Sequence, residues 1–207
     1  MIDNNAIMTD RHQTIAFWRG RLPHWEVADG LYFVTIHLAG AIPPEACDKI
    51  QATARRLEES DRNTYREIQR RIFQEMEAWL DRAETVSHLQ NPDIARMVME
   101  SIAFREEQKN WRLFEYVIMP SHIHMYLQMT RGRLKSEMEK FKRRTGHEAA
   151  KLMELNAGRF WQREWFDHWS RSAEEGEKIR TYIQQNPVKA RLVSKHTDWP
   201  YGSWNKK

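Results

Sequence analysis

Two histidines stand two residues apart in the segment HIHMYLQM, residues 122–129. On a strand, successive side chains point to opposite faces. His122, His124, Tyr126 and Gln128 then share one face, and Ile123, Met125, Leu127 and Met129 share the other. The apolar set is expected to meet core helices, and the histidines a polar site. Two neutral imidazoles on one face can ligate one metal ion, a chemistry the pair shares with ordinary surface or core histidines. A second group lies at Tyr182 and Asn186, four residues apart and therefore on one face of a helix. A tyrosine hydroxyl can attack phosphorus and form a covalent phosphotyrosine. An asparagine oxygen one turn away can complete a metal site. The purely structural alternatives are core packing of Tyr182 beside Ile179 and Ile183, and a helix end at Asn186 before Pro187.

The elements that must position these residues follow from periodicity. Residues 1–30 look irregular, punctuated by Gly20, Pro23 and Gly30. LYFVTIHL (31–38) is rich in β-branched and aromatic residues and reads as a strand, ended by Gly40, Pro43 and Pro44. From 45 to about 108 the pattern is helical. Tyr65, Ile68, Ile72, Met76, Trp79 and Leu80 recur at helical spacing, and Asn91-Pro92-Asp93 restarts a further helix. WRLFEYVIM (111–119) and HIHMYLQM make a hairpin about Pro120-Ser121. Residues 133–153 return to helix, with Leu134, Met138, Phe141, Ala149 and Leu152 on or near one apolar face and Lys135, Lys142, Arg143 and Arg144 opposite. A fourth strand lies within FWQREWFDHWS (160–170). A last helix, 174–186, should stop at Asn186-Pro187, because the residue before proline avoids helical angles.

This order predicts an α+β fold: a ferredoxin-like βαββαβ sandwich with an antiparallel sheet. To it are added a C-terminal helix bearing Tyr182 and a helical insertion at about 45–110 after the first strand. One domain over 1–207 is expected, ending in a basic tail, 187–207. The chain has 207 residues and a formal charge of +4. That charge is unevenly spread. Residues 131–151 hold eight basic and three acidic side chains, whereas 45–110 hold eleven basic and fourteen acidic. A basic stripe beside an acidic body is the footprint of a polyanion partner. Lys140, Lys142, Arg143 and Arg144, with Lys189 and Arg191 further on, are the candidate nucleic-acid contacts. Cys47, the only cysteine, excludes an internal disulfide and a Cys-rich zinc module. With no apolar run of membrane-spanning length and no signal-peptide core, the expectation is a cytoplasmic protein without membrane contact.

Three blocks in order carry a resemblance. They are Tyr116-Val-Ile-Met-Pro-Ser-His122-Ile-His124-Met, then Tyr182-Ile-Gln-Gln-Asn186-Pro187-Val-Lys-Ala-Arg-Leu-Val, then Asp198-Trp-Pro-Tyr-Gly-Ser203. The opening Trp18-Arg-Gly-Arg-Leu-Pro-His-Trp25 adds to them. The chain resembles the single-tyrosine HUH transposases of the insertion-sequence type, and among them the REP-associated tyrosine transposases. The match covers roughly 17–40 and 111–204. The resemblance implies a transposase-like endonuclease and strand transferase. It would act on single-stranded, palindromic hairpin DNA through a 5′-phosphotyrosine intermediate, with a divalent metal, Mg²⁺ or Mn²⁺. It maps His122 and His124 onto metal ligands and Tyr182 onto the nucleophile. Asn186 falls where relatives supply a third ligand, often the longer Gln. The insertion at 45–110 carries no motif, and monomer and homodimer both stay open.

Other residues compete. Tyr126 shares the histidine face and is a rival nucleophile. Asp167 and His168 could approach the metal, with structural packing as the first reading. His37 reads as a polar-face residue of the first strand, and His88 and His147 as surface residues. Trp161, Trp165 and Trp169 could stack unpaired bases or build core. The alternative function is a catalytically silent, domesticated hairpin-binding protein. A replication initiator of the wider class and a metal-dependent hydrolase using water are further readings.

Overall fold

The histidine strand is the third of four strands in one antiparallel sheet. The computed structural model describes residues 13–20, 22–55, 62–82, 86–154 and 158–205. Among these lie six strands: β1 (Thr14–Arg19), β2 (Pro23–Val27), β3 (Leu31–His37), β4 (Trp111–Ile118), β5 (His122–Met129) and β6 (Phe166–Ser170). The helices are α1 (Pro44–Arg55), α2 (Arg62–Leu80), α3 (Pro92–Glu107), α4 (Leu134–Leu152) and α5 (Ala173–Lys189). The sheet runs β4-β5-β3-β6, with every neighbouring pair antiparallel. The fold is α+β, as the alternation of periods predicts.

Local chemistry accounts for the element ends. Asn91 caps α3, its side chain accepting the Asp93 N–H at 2.9 Å, with Pro92 at the first helical position. Ser172 caps α5 by accepting the Glu175 N–H at 3.1 Å. The two-residue turn between β4 and β5 closes through Met119 N–H to the His122 carbonyl at 2.8 Å. Ile68, Ile72, Met76 and Leu80 of α2 are buried, as their spacing predicts. So are Leu134, Met138, Phe141 and Ala149 of α4, whereas Leu152, the last residue of that helix, is exposed.

Two expectations are corrected and one is borne out. Residues 14–27 are not irregular; they form the β1–β2 ribbon, which docks on β6 through His24 and Asp167. Tertiary pairing here outweighs the turn signals of Gly20 and Pro23. The fourth strand lies within 160–170 as expected, at Phe166–Ser170. Trp161 makes an isolated bridge to Leu38, and Trp161, Trp165 and Trp169 are all buried as core. The last helix does not stop at Asn186. It runs on to Lys189 with Pro187 inside it. An internal proline costs ~3 kcal/mol in an isolated helix; here Ile183, Asn186 and Pro187 are all buried, and packing offsets that cost.

The segment after α5 is no free tail. Ile118 N–H donates to the Tyr201 carbonyl at 2.8 Å, Trp199 Nε1 donates to the Ile118 carbonyl at 2.9 Å, and Gly202 bridges Val117. It therefore straps the edge of β4. Lys206 and Lys207 lie outside the described residues. No helix among those residues is long and apolar enough to cross a membrane.

Candidate metal centre and nucleophile

The histidine face of the sheet is roofed by α2 and α5. His122 and His124 sit side by side on it, ring centroids 4.6 Å apart, and both are buried. Each ring is held by its Nδ1. His122 Nδ1 lies 2.9 Å from the Ser121 hydroxyl, which itself donates to the Leu80 carbonyl at 3.4 Å. A hydroxyl that donates elsewhere must accept from the ring, so Nδ1 carries the proton and Nε2 keeps its lone pair. His124 Nδ1 lies 2.9 Å from the Thr35 hydroxyl, because β3 pairs Thr35 directly opposite His124. In both rings the inward atom is Nε2.

A third group joins them that the sequence reading missed. Glu77, on α2, is buried, and a ligand atom from each of Glu77, His122 and His124 lies within 4.8 Å of the others. Glu77 Oε1 is 3.5 Å from His124 Nε2, in ion-pairing range without hydrogen-bond geometry. Glu77 Oε2 accepts a hydrogen bond from the Tyr182 hydroxyl. Burial opposes charge on Glu77, but His124, His122 and the Tyr182 hydrogen bond outweigh it and hold the carboxyl at about 2. Burial, reinforced by His124, pushes His122 down to about 3. His37, cross-strand from His122, falls to about 4, chiefly through burial. His122 and His37 are therefore neutral imidazoles at physiological pH, and for His122 that is the form that binds metal.

Tyr182 projects from α5 with its ring 5.4 Å from that of His124. Burial and the charge of Glu77 push its hydroxyl far above the ordinary tyrosine value. Asn186, one turn on, is buried, and neither polar atom of its side chain makes a well-formed hydrogen bond. The same holds for His122 Nε2, His124 Nε2 and Glu77 Oε1. A buried polar group left unsatisfied costs about 1–3 kcal/mol. Those of His122, His124 and Glu77 lie together, and two imidazole nitrogens with a carboxylate oxygen are a donor set that fits a divalent cation.

The approach of α5 depends on a glycine. A Cβ at Gly176 would lie 2.6 Å from the Tyr126 hydroxyl. Tyr126 is thus buried under the start of α5. His168 hydrogen-bonds Gln69 and Glu175, at 3.1 and 2.8 Å, and Asp167 holds His24. Tyr126 and Asp167 serve packing, and His168 links β6 to α2 and α5. His88 and His147 are exposed, as expected.

The basic residues split into several settings. Lys140 pairs with Glu137 at 2.8 Å, and Arg144 lies over the Phe104 ring. Lys142 donates to the Arg163 carbonyl at 2.7 Å and lies over Trp165; burial lowers it to about 8. Arg143 is exposed and lines a cleft of about 890 Å³ between α4 and residues 158–165, with Lys135, Arg159 and Arg163. Lys189 pairs with Asp81 at 2.9 Å and reaches over Tyr182, while Arg191 is exposed.

Glu77 left a faint signal. It is a carboxylate beside the apolar stripe of Ile72, Met76 and Leu80, where a solvated glutamate does not belong.

Residues 81–186, just over half of the chain, match the family described as "Transposase IS200 like". The chain belongs to the IS200-like transposase family. The matched span includes His122, His124, Tyr182 and Asn186, while Glu77 falls just before it. The fold is similar to a solved structure described as "Structure of the REP associates tyrosine transposase bound to a REP hairpin". That similarity has a TM-score of 0.55 at 15% identity and covers 92% of this chain and 83% of that one. No curated protein sequence matches.

Proposed function

We propose that this chain cuts and rejoins single-stranded DNA at palindromic hairpins, with Tyr182 as nucleophile. The observation that carries the reading is the convergence of the Tyr182 hydroxyl and two inward-facing imidazole nitrogens on one carboxylate, Glu77. The strand order and its crossover helices support reading the core as a ferredoxin-like sandwich and the chain as one domain. His122, His124 and Glu77 would hold a divalent ion, Mg²⁺ or Mn²⁺, with Asn186 as a further ligand. Such an ion supplies positive charge for a scissile phosphate oxygen and for the ionising tyrosine.

The chain's own residues do the rest. Glu77 fixes the direction of the Tyr182 hydroxyl. By accepting from that hydroxyl Glu77 orients it, and the phenolic proton is released to solvent as the oxygen bonds phosphorus. Tyr182 oxygen bonds phosphorus, the bond to the 3′ oxygen breaks, and a 5′-phosphotyrosine and a free 3′-OH result. The phosphodiester energy is conserved, so the 3′-OH of another strand can reverse the step. Exposed Arg143 and Arg191, with Lys140, Lys142, Arg144 and Lys189 as weaker candidates because each already has a partner, would track phosphates.

The test is a denaturing gel of purified protein with labelled hairpin oligonucleotides and Mn²⁺ or Mg²⁺. A protein–DNA adduct is expected, absent with chelator and in Tyr182→Phe. Free cleaved product without adduct would point to a hydrolase. Hairpin binding without cleavage would favour a silent binder.

A further inference from the structure

A cavity of about 540 Å³ opens directly beside Tyr182. Its walls are Phe33, Phe73 and Phe166, together with Tyr182 itself. The Phe73 ring lies 5.4 Å from those of both Phe166 and Tyr182, and Phe33 meets Tyr182 edge-on at 5.9 Å. One part of the lining is polar: Gln69, His168 and Glu175, linked by hydrogen bonds. Exposed Arg70 and Lys178 also border it. The volume is within the roughly 300–1,000 Å³ of sites that enclose small planar ligands.

A packed core has no need of such a space. The proposed function does, and this inference rests on it. When Tyr182 reaches a scissile phosphate, the nucleotides on either side of that phosphate lie within one nucleotide's length of the cavity. A single strand has no partner base there, so an adjacent base must find another surface. Aromatic faces take unpaired bases, and polar groups at the end of the slot meet a base edge. Arg70 at the border suits an attached phosphate; Lys178 is paired with Glu174 at 2.6 Å, and exposed Glu67 also borders the cavity.

We propose that this cavity receives the unpaired nucleobase next to the scissile phosphate, stacked against Phe73 and Phe166 with its edge toward Gln69 and His168. The helical insertion, through α2, would then help to choose the cleavage site as well as supply Glu77.

The test separates this from the reading it rests on. Adduct gels with the unaltered protein first map the cleaved phosphate; if no adduct forms with any hairpin and no single strand binds, both proposals fall. Affinity is then measured with chelator present, in Tyr182→Phe protein, so that neither chemistry nor metal contributes. An abasic site is moved one nucleotide at a time through the single-stranded flank. The expected result is a loss of about 5- to 100-fold concentrated at one position beside the mapped phosphate. That penalty should largely vanish when Phe73→Leu is added. Gln69→Leu is the second variant, removing edge contacts with little change of shape. It should shrink the discrimination between bases at the same position. An even penalty along the flank, or an undiminished one in both folded variants, would overturn the cavity's role while leaving the tyrosine chemistry intact.

Discussion

Two helices close over the same histidine face, and they differ in how they carry their share of the site. Helix α5 places Tyr182 and Asn186 one turn apart on a single stripe. Its contribution is local, because helical spacing alone brings the pair together. Helix α2 brings one carboxylate, Glu77, into contact with residues 45 to 105 positions further along the chain. Its contribution is wholly tertiary. The turn at Ser121 ties α2 to the histidine strand: its hydroxyl contacts both the Leu80 carbonyl at the end of α2 and the His122 ring. A site half written in motif and half in packing should therefore fail differently when each half is damaged.

The largest effects should fall on the shared centre. Tyr182→Phe should abolish the adduct outright while leaving metal binding nearly unchanged. Glu77→Ala should do the reverse first, weakening Mn²⁺ binding by about 100-fold or more, as seen by calorimetry, with adduct formation falling in step. If Glu77→Ala leaves metal affinity intact, α2 is only a roof and the ligand set belongs to α5 and β5.

A second pair sharpens the role of the supporting hydroxyls. Thr35→Val and Ser121→Ala remove the Nδ1 partners of His124 and His122. Each should cost roughly 10–100-fold in metal affinity with the fold retained. Equal affinity in both variants would mean that strand pairing alone orients the rings.

The seat of α5 is tested next. Gly176→Ala should destabilise the protein by about 1–3 kcal/mol in denaturant unfolding, since its Cβ would meet the Tyr126 hydroxyl. Adding Tyr126→Phe opens that space and should recover part of the loss; no recovery would assign the cost elsewhere.

The smallest effect concerns pH. His24 joins β2 to β6, the strand that leads into α5. Burial alone would lower its pKa, but Asp167 and Glu164 raise it to about 9. The folded value exceeds the unfolded one, so this contribution is complete below about 6.5 and is lost as pH rises through 9. Melting temperature should fall across that window, and His24→Gln should flatten the fall.

The strand assignments for 31–38, 111–119 and 122–129 were legible because β-branched and aromatic runs end at clear turn residues. The β1–β2 ribbon was hidden because Gly20 and Pro23 imitate a loop. Pro187 misled for a related reason: its local penalty is real, yet burial within α5 outweighs it. Both errors came from local rules overridden by contacts far along the chain.

By itself the sequence determined the element types, the pairing of His122 with His124 on one strand face, and the placement of Tyr182 and Asn186 on one helix stripe. Periods of 2 and 3.6 residues dictate these whatever the surroundings. Only the tertiary structure decided that Glu77 completes the donor set, that Thr35 and Ser121 aim the two rings, and that an aromatic cavity lies beside Tyr182. Periodicity says which face of a helix is buried, but not what it is buried against. That choice is made by how the strands pair and which side of the sheet each helix covers.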